Sequence, residues 1–263
     1  MNTGLKAVLA ALDSAPGPVQ FILRDDDAGW DDARLFALLD CTERAGVPID
    51  LAVIPQATGT ALGALLRARV DAAPFHIGLH QHGWSHQNHE TCARKCEFGA
   101  ARERAAQSLD LTLGRDRLHA LFGARLDPIF TPPWNRCSPA TPALLAELGY
   151  AALSRDRGAP AQHALPELAV DVDWCKLRAG AGDGAPIAFE LARRIGVGAS
   201  VGARVGLMLH HAQMDRADLD LLGAWLPQWA RHPHARWIPM RNLLASTPAA
   251  ADPGPTHEGA AFS

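Results

Sequence analysis

The sequence predicts an α/β fold whose parallel sheet forms a distorted (β/α) barrel of about seven to eight strands. Short apolar runs alternate with helical segments along most of the 263 residues, the pattern of repeated strand-helix units. The strand runs are apolar throughout rather than alternating, as expected for strands covered on both faces. An open doubly wound sheet is the alternative, but no glycine-rich phosphate loop follows the first strand.

Each strand is predicted from a short apolar run that ends in polar or turn residues. The chain is expected to form one domain over residues 1–245, followed by an Ala-, Pro- and Gly-rich tail, 246–263, that is expected to be disordered. The predicted strands cover residues 19–23, 49–54, 75–79, 128–131, 150–153, 168–173, 205–209 and 237–240.

The helices are predicted from apolar residues at helical spacing and from their boundary residues. Asp31 or Asp32 can cap the second helix, and Gly46 lies past its end. Thr141 can cap a later helix with Pro142 at its first position. The other expected helices cover residues 5–12, 61–70, 97–113 (closed by Gly114), 185–195 and 219–229.

Composition and charge exclude some classes of partner. Hydrophobic residues make up 48% of the chain and charged residues 20%, which is ordinary for a soluble globular enzyme. A net charge of -3 without a basic block argues against a nucleic-acid partner. The apolar N-terminal stretch is short for an export signal, and no run is long enough to span a membrane. We therefore expect a cytoplasmic protein, and the oligomeric state stays open.

The first strand ends in an unusual charged cluster. The apolar run over residues 19–23 is followed by Arg24 and by three aspartates, Asp25–Asp27, ahead of Gly29. A solvated turn could hold such a cluster. At the end of a buried strand, however, three adjacent carboxylates need a compensating cation.

Chemically capable side chains also follow the other predicted strands. In a parallel barrel the carboxyl ends of the strands share one face, where barrel enzymes place their active sites. The sequence therefore predicts a site assembled from several strand ends. Its further candidates are His82, His86, residues 131–135, residues 171–174 and His210.

His82 and His86 are candidate metal ligands. On one helical turn, a spacing of four residues lets both imidazoles face one cation, and two histidines with one aspartate leave positions open for water and substrate. A histidine-rich loop without function is the alternative. Cys92 and Cys96 could form a second metal site, but with five scattered cysteines we expect reduced thiols.

Taken together, these motifs resemble the polysaccharide deacetylases, carbohydrate esterase family 4. That family has an Asp-Asp pair after its first strand, then H-[ST]-x-x-H, R-P-P-[YW], Asp-Trp and L-x-L-H segments. The order matches here over about residues 19–212. The corresponding segments are Asp26-Asp27, HGWSH at 82–86, TPPW at 131–134, Asp173-Trp174 and LMLH at 207–210.

The resemblance implies a deacetylase-type barrel and a role for each matched residue. Asp27, His82 and His86 would bind one divalent metal, zinc. Asp26 would be the general base for the attacking water, and His210 the general acid. Asp171 or Asp173 would orient His210. Trp134 would wall the acetyl pocket, with Pro133, Asn135, Trp174 and Leu209 as further substrate contacts.

Two residues depart from the family pattern. Gly83 stands where the family has Ser or Thr, and Thr131 stands where it has an arginine that contacts the base. Residues two apart on a strand share a face, so Arg24 is predicted to point the same way as Asp26. We therefore predict that Arg24 pairs with Asp26, Asp171 or Asp173 and replaces that arginine. The alternative is that Arg24 pairs outside the site, and that Arg136 or no residue fills the role.

The resemblance implies a hydrolase that removes an N-acetyl group from a small-molecule or glycan substrate, using metal-activated water with an Asp base and a His acid. A metal-dependent hydrolase of another C–N or ester bond is one alternative. A glycan-binding pseudoenzyme without turnover is another, since Thr131 departs from the pattern.

Overall fold

The structure, a computed structural model, describes residues 3–178, 184–197 and 204–246. Nearly all of the predicted tail therefore lies outside the described residues. No described helix is long and apolar enough to cross a membrane. The described strands are β1 (Val19–Ala28), β2 (Ile49–Val53), β3 (Ile77–His82), β4 (Leu126–Thr131), β5 (Ala152–Leu153), β6 (Val172–Asp173), β7 (Arg204–Leu209) and β8 (Ala235–Trp237).

Helices follow most of these strands. Short 3₁₀ segments, among them Pro133–Asn135, His211–Gln213 and Met240–Ser246, lie after β4, β7 and β8. The described α-helices are α1 (Thr3–Asp13), α2 (Asp32–Ala45), α3 (Thr60–Ala72), α4 (Arg104–Phe122), α5 (Thr141–Glu147), α6 (Trp174–Arg178), α7 (Ala185–Val197) and α8 (Arg216–Ala230).

The strands form one parallel sheet in the order β5-β4-β3-β2-β1-β7-β6, with β8 pairing to the start of β1. Between β5 and the segment before β6 there are isolated bridges, Leu153 with Glu167 and Asp156 with Val170. The ring of strands is thus completed by bridges rather than by a continuous ladder. The predicted distorted barrel with about seven to eight parallel strands is confirmed.

The strands are covered by helices that bury apolar side chains on the sheet. Phe21 of β1 contacts the ring of Trp229 from α8 edge-on, with ring centroids 4.9 Å apart. Trp225 and Trp229 are fully buried, as their spacing of four residues on a helix predicts. A fully buried side chain of this size contributes roughly 1.5–3 kcal/mol or more relative to an exposed one. This packing fixes the strand ends where the charged residues lie.

Two predicted boundaries are wrong. The helix expected over residues 97–113 begins at Arg104 and runs through Gly114 to Phe122. A Cβ at Gly114 would lie 2.2 Å from the Gln81 side chain, so this glycine allows close packing instead of ending the helix. The third strand starts at Ile77 rather than at Phe75, whose side chain is exposed.

Several other elements differ in detail. Asp31 caps α2 by accepting a hydrogen bond from the backbone N–H of Arg34, which confirms one of the two predicted caps. Thr141 begins α5 without capping it, because its hydroxyl bonds the Phe98 carbonyl and Gln107. The fifth, sixth and eighth strands are shorter than predicted.

Buried carboxylates lie near the starts of β2 and β4, away from the charged end of β1. Asp50 accepts a hydrogen bond from the backbone N–H of Met240, and its other oxygen has no hydrogen-bond partner among the described residues. Burial and the nearby charge of Asp127 raise the pKa of Asp50 to about 7. Arg241 reaches only the Asp127 carboxylate, at 3.6 Å, and so compensates the pair weakly.

We expect Asp50→Asn to stabilise the protein above pH 7. In the unfolded chain Asp50 ionises near pH 4, whereas in the fold it ionises near pH 7, so stability falls over this interval and then stays level. Asparagine can still accept from Met240 but cannot ionise. The gain in unfolding free energy should be on the order of 1–3 kcal/mol at pH 8 and absent at pH 4.

Urea unfolding at the two pH values measures this difference. Asp116→Asn, at an exposed aspartate, is the matched control and should show no such pH dependence. A variant at position 50 that is less stable than the native chain at pH 8 would show that the charged form of Asp50 is stabilising.

Candidate metal and catalytic site

The site is built on the end of β1, which continues through the charged residues to Ala28. Arg24 and Asp25 are fully buried, and Asp26 and Asp27 are 2% and 4% exposed. The apolar run ends at residue 23, but the strand does not, because pairing continues to Asp25 on β7 and, after an irregularity that follows Asp25, to Ala28 on β2. Successive side chains therefore point to alternate faces, and Arg24 and Asp26 share one.

Arg24 and Asp26 form a two-point ion pair. The guanidinium donates from Nε to Asp26 Oδ1 at 2.7 Å and from Nη2 to Oδ2 at 2.9 Å. It also donates to the side chains of Ser154, at 2.7 Å, and Asn135, at 2.6 Å. The predicted pairing of Arg24 with Asp26 is confirmed, and Arg24 is held by partners from three parts of the chain.

The ion pair with Arg24 keeps the Asp26 carboxylate ionised. Burial alone would raise the pKa of the carboxyl, but the positive charge of Arg24, with smaller effects from His82 and His210, lowers it below the ordinary value. Asp26 is therefore an ionised carboxylate at neutral pH. An ionised, buried carboxylate whose position is fixed can accept a proton from a group within hydrogen-bond reach.

Asp27, His82 and His86 form the one group of potential metal ligands found among the described residues. Asp27 Oδ1 lies 3.2 Å from Nε2 of each histidine, and the three donor atoms are within 4.8 Å of one another. Burial would raise the pKa of Asp27, but both imidazoles lower it well below its usual range. A buried carboxylate oxygen facing two imidazole nitrogens is a donor set that fits a divalent metal.

The predicted helical turn carrying the two histidines is wrong. His82 is the last residue of β3, and the chain then turns through Gly83 and His86, which have φ values of 58° and 57°. His82 Nδ1 lies 3.0 Å from the carbonyl oxygen of Thr131, so a proton on Nδ1 is donated there. That tautomer leaves Nε2 unprotonated towards Asp27, as a metal ligand requires.

Gly83 and Glu97 explain one departure from the family pattern. A Cβ at position 83 would lie 2.1 Å from Glu97 Oε2, and a positive φ favours glycine there. Glu97 is fully buried and accepts hydrogen bonds from the backbone N–H groups of Trp84 and Ser85. Glu97 therefore holds the turn that carries His86. No local pattern in the sequence revealed this, because the contact joins a turn to a loop 12 residues later.

His86 lies between two tryptophans. Its ring centroid is 4.8 Å from that of Trp30 and 4.5 Å from that of Trp134. Trp30 is 40% exposed and was not among the predicted site residues. Asp27, Trp134 and Asn135 also have positive φ values, of 70°, 56° and 58°. Left-handed backbone at non-glycine residues is strained and is found most often at functional sites. Its concentration around His86 therefore indicates a functional site here.

His210 follows β7 and faces the same space. Its Nε2 is 4.0 Å from Asp26 Oδ2, and its side chain is 17% exposed. Its Nδ1 is buried without a hydrogen-bond partner among the described residues. Asp26 and His210 thus present a proton acceptor and an imidazole to one opening beside the three potential metal ligands.

The expected contact of Asp171 or Asp173 with His210 is not found among the described residues. The Asp171 carboxylate is taken by Arg157, by Arg194 and by the backbone N–H of Gly206. Asp173 accepts from the backbone N–H of Lys176, at the start of α6, whereas Nδ1 of His210 has no hydrogen-bond partner among the described residues. Asp171 is thus held by residues from other segments of the chain, and Asp173 is held by the start of α6.

His211, next to His210, belongs to the support of the site. Its Nδ1 is 2.7 Å from Asp25 Oδ2, and its Nε2 is 2.6 Å from the Trp30 carbonyl oxygen. Burial alone would lower the pKa of His211. The charge of Asp25 and the hydrogen bonds at both ring nitrogens outweigh this effect, and the pKa rises to about 9. His211 therefore supports the site through a buried ion pair with Asp25.

Two predicted substrate contacts are in the hydrophobic core. Trp174 is fully buried and packs edge-on against Trp225, with ring centroids 5.6 Å apart. Leu209 is also fully buried in the main core. Neither offers a surface that a substrate could reach. Pro133 and Asn135 are also buried; Pro133 packs against Gly83, and Asn135 contacts Arg24.

Thr131 and the cysteines complete the predicted set. The Thr131 hydroxyl lies 2.9 Å from Nε2 of the buried His80, so this position serves packing where the family has its arginine. Cys96 donates from Sγ to the Arg136 carbonyl, and Cys92 is exposed. Among the described residues, these cysteines belong to no group of metal ligands.

Comparison with known proteins supports the fold. No family model and no curated protein sequence matches the chain. A solved structure described as a polysaccharide deacetylase from Mycobacterium smegmatis matches 88% of this chain and 91% of its own, at 17% identity and a TM-score of 0.64. A family 4 acetyl xylan esterase from Clostridium thermocellum, in complex with a cobalt ion, matches 86% and 90%, at 14% identity and 0.56.

A third solved structure is a mutant of a carbohydrate esterase family 4 pseudoenzyme with restored activity. It matches 87% of this chain and 68% of its own, at 12% identity and a TM-score of 0.57. At such identities the likeness concerns the fold. The resemblance drawn from the motifs is therefore confirmed as a deacetylase-type distorted barrel in a divergent chain.

We expect Arg24→Met to destabilise the protein strongly at neutral pH. Removing one partner of a buried ion pair leaves the other uncompensated, at a cost of about 3–5 kcal/mol. Because Asp26 has a lowered pKa in the fold, its stabilising contribution is present above about pH 4 and is lost as the pH falls through the folded-state pKa. The loss caused by Arg24→Met should therefore shrink in acid.

Urea unfolding across pH measures the effect, with Arg216→Met as a control at an 87% exposed arginine. A loss below about 1 kcal/mol at pH 7, or one that does not change with pH, would mean that Asp26 is compensated by another group.

A second prediction concerns metal content. The native chain should bind one divalent ion, and His82→Ala and His86→Ala should each remove stoichiometric binding, as measured by elemental analysis after dialysis. His89→Ala is the matched control, because His89 lies in the same loop and outside the ligand group. Full metal content in both variants at positions 82 and 86 would overturn the assignment.

Proposed function

We propose that this protein is a metal-dependent hydrolase that removes an N-acetyl group from a carbohydrate-like substrate. The observation that carries the proposal is the meeting of two sets at one opening: the ligand group Asp27, His82 and His86, and the proton-transfer pair Asp26 and His210. The motif order and the deacetylase-type fold support the same conclusion.

Asp27, His82 and His86 would hold one divalent ion, for which we propose zinc because imidazole and carboxylate ligands suit it. When bound, such an ion polarises a carbonyl and lowers the pKa of water. Three protein ligands would leave coordination positions free for water and substrate, and the rings of Trp30 and Trp134 lie against the ligand His86.

Asp26 would act as the general base. Arg24 keeps the carboxylate ionised and fixes both of its oxygens, so it can take a proton from the attacking water without first being desolvated. Its position next to Asp27 in the chain places the acceptor beside the ligand group. Arg24 would be a positioning residue, because its contacts are to Asp26, Ser154 and Asn135.

His210 would act as the general acid. An amide nitrogen is a poor leaving group unless it is protonated as the C–N bond breaks, and an imidazole can supply that proton. The 4.0 Å between His210 Nε2 and Asp26 Oδ2 lets the two groups act on one small reacting centre. Trp134, partly exposed beside His86, would wall the acetyl group, with its backbone N–H near the oxyanion.

Two alternative functions are compatible with the same site residues. Ester hydrolysis needs no protonated nitrogen leaving group, and one structural neighbour is described as an acetyl xylan esterase. A pseudoenzyme is the other, since one neighbour comes from such a protein. The intact set of Asp26, Asp27 and His210 favours turnover. A cytoplasmic location and a small substrate remain predictions from the sequence.

Acetate release tests the proposal. The metal-loaded protein is incubated with a panel of N-acetyl sugars and matched O-acetyl sugars, and free acetate is measured enzymatically. Release from N-acetyl compounds supports deacetylation, whereas release from O-acetyl compounds alone supports an esterase. Stoichiometric metal with no release from any compound favours the pseudoenzyme.

We expect Asp26→Asn and His210→Ala each to lower kcat on the order of 10²–10⁴-fold while leaving the metal bound, because each removes one proton-transfer group and no ligand. Steady-state kinetics and metal analysis of the same samples measure both effects. His163→Ala, at an exposed histidine, is the control and should keep full activity. Full activity in His210→Ala together with a loss in His211→Ala would show that the wrong neighbour was chosen.

A further inference from the structure

A cavity of about 580 Å³ adjoins the site on the side of Asn135. Asn135 contributes to its lining, and the same side chain accepts a hydrogen bond from Arg24 Nη2. Asp156 lines the cavity as well; burial raises its pKa, and the charges of Arg24 and Asp26 have smaller, opposite effects on it. The cavity therefore opens beside the proposed base and is large enough for a group the size of a sugar.

The long loop between β3 and α4 builds one wall of this cavity. Loops of this length are uncommon in compact domains and are often functional. The loop is fastened to the segment after β4 by a backbone bridge between Phe98 and Cys137 and by a hydrogen bond from Cys96 Sγ to the Arg136 carbonyl. The cavity is therefore a fixed feature of the structure.

Two guanidinium groups line the cavity without a carboxylate partner. The guanidinium of Arg136 donates only to the Lys95 carbonyl, and Arg94 makes no hydrogen bond or ion pair with any residue that the structure describes. Burial and the charge of Arg94 lower the pKa of Arg136, and together they outweigh the opposite effect of the Asp156 charge. A third arginine, Arg155, is buried but is neutralised by Glu167.

The cavity also contains two carboxylates, and neither forms a salt bridge with Arg94 or Arg136 among the described residues. Glu90 accepts from the backbone N–H of Ala101 and has no salt bridge within 4.0 Å among the described residues. Asp156 is close enough for its charge to act on Arg136 as well as to feel the charges of Arg24 and Asp26. Arg94 and Arg136 therefore have no carboxylate in direct contact among the described residues.

We propose that this cavity is an anion-binding subsite in which Arg94 and Arg136 hold a phosphate or carboxylate of the substrate while its reacting amide lies at the metal ligands. Guanidinium groups bind both anions through paired, charge-assisted hydrogen bonds. The subsite selects an acidic small molecule, such as a sugar phosphate or a sugar acid, over a neutral one. The identity of this ligand as substrate rests on the proposed function.

The experiment measures binding rather than turnover, so its result is independent of acetate release. Glucose, glucose 6-phosphate and glucuronate are titrated into the metal-loaded full chain, and dissociation constants are obtained by calorimetry. None of the three carries an acetamide. We expect at least one acidic sugar to bind about tenfold or more tightly than glucose, and the stronger of the two identifies the anion.

Arg94→Gln and Arg136→Gln should each reduce this advantage several-fold, and Arg94→Lys should retain part of it. Arg94 is exposed, so its replacement does not threaten folding. Arg216→Gln removes the same charge from an 87% exposed side chain and should keep the full advantage. Equal binding of all three sugars would overturn the proposal. An advantage that survives in both glutamine variants would do so too, because the anion would then be held by the metal.

Discussion

The buried ion pair between Arg24 and Asp26 is the interaction on which the rest of the site depends. Two hydrogen bonds, at 2.7 and 2.9 Å, join side chains that are almost completely removed from water. A lone buried carboxylate at this strand end would take up a proton, and a lone buried guanidinium would be costly to fold. Together they allow β1 to carry charge to its tip, where Asp26 and Asp27 can face the site.

The second constraint is backbone strain that is held by long-range contacts. Asp27, His86, Trp134 and Asn135 all have left-handed backbone, and each lies in the site or against it. Such conformations cost on the order of 1–3 kcal/mol each and persist only where the surroundings impose them. Here Glu97 holds the turn before His86, and Arg24 holds Asn135. Contacts within the folded barrel thus offset the strain of these conformations and hold the side chains in position.

Sequence patterns predicted the elements whose signals are local. Apolar runs marked the strands, and the order of charged residues after them marked the face of the site. The Arg24–Asp26 pair was predictable because residues two apart on a strand share a face. The turn that carries His86 was not predictable, because it is held by Glu97, which lies 12 residues after Ser85 in the same long loop and was expected to begin a helix. Trp30 was not predicted, because an exposed tryptophan after a turn has no characteristic sequence pattern. Trp174 was predicted as a substrate contact only because it matches the Asp-Trp segment of the family, and it is buried in the core.

The central claim is that Arg24 keeps Asp26 ionised in a buried position. The most direct test is the pH titration of the Asp26 carboxyl carbon by ¹³C NMR in the metal-free protein, with the resonance assigned by its absence in Asp26→Asn. In the native chain Asp26 should remain ionised to below about pH 4, and in Arg24→Lys, which loses the two-point contact, its pKa should be higher. A pKa of Asp26 above its ordinary value in the native protein, or one unchanged by Arg24→Lys, would contradict the account.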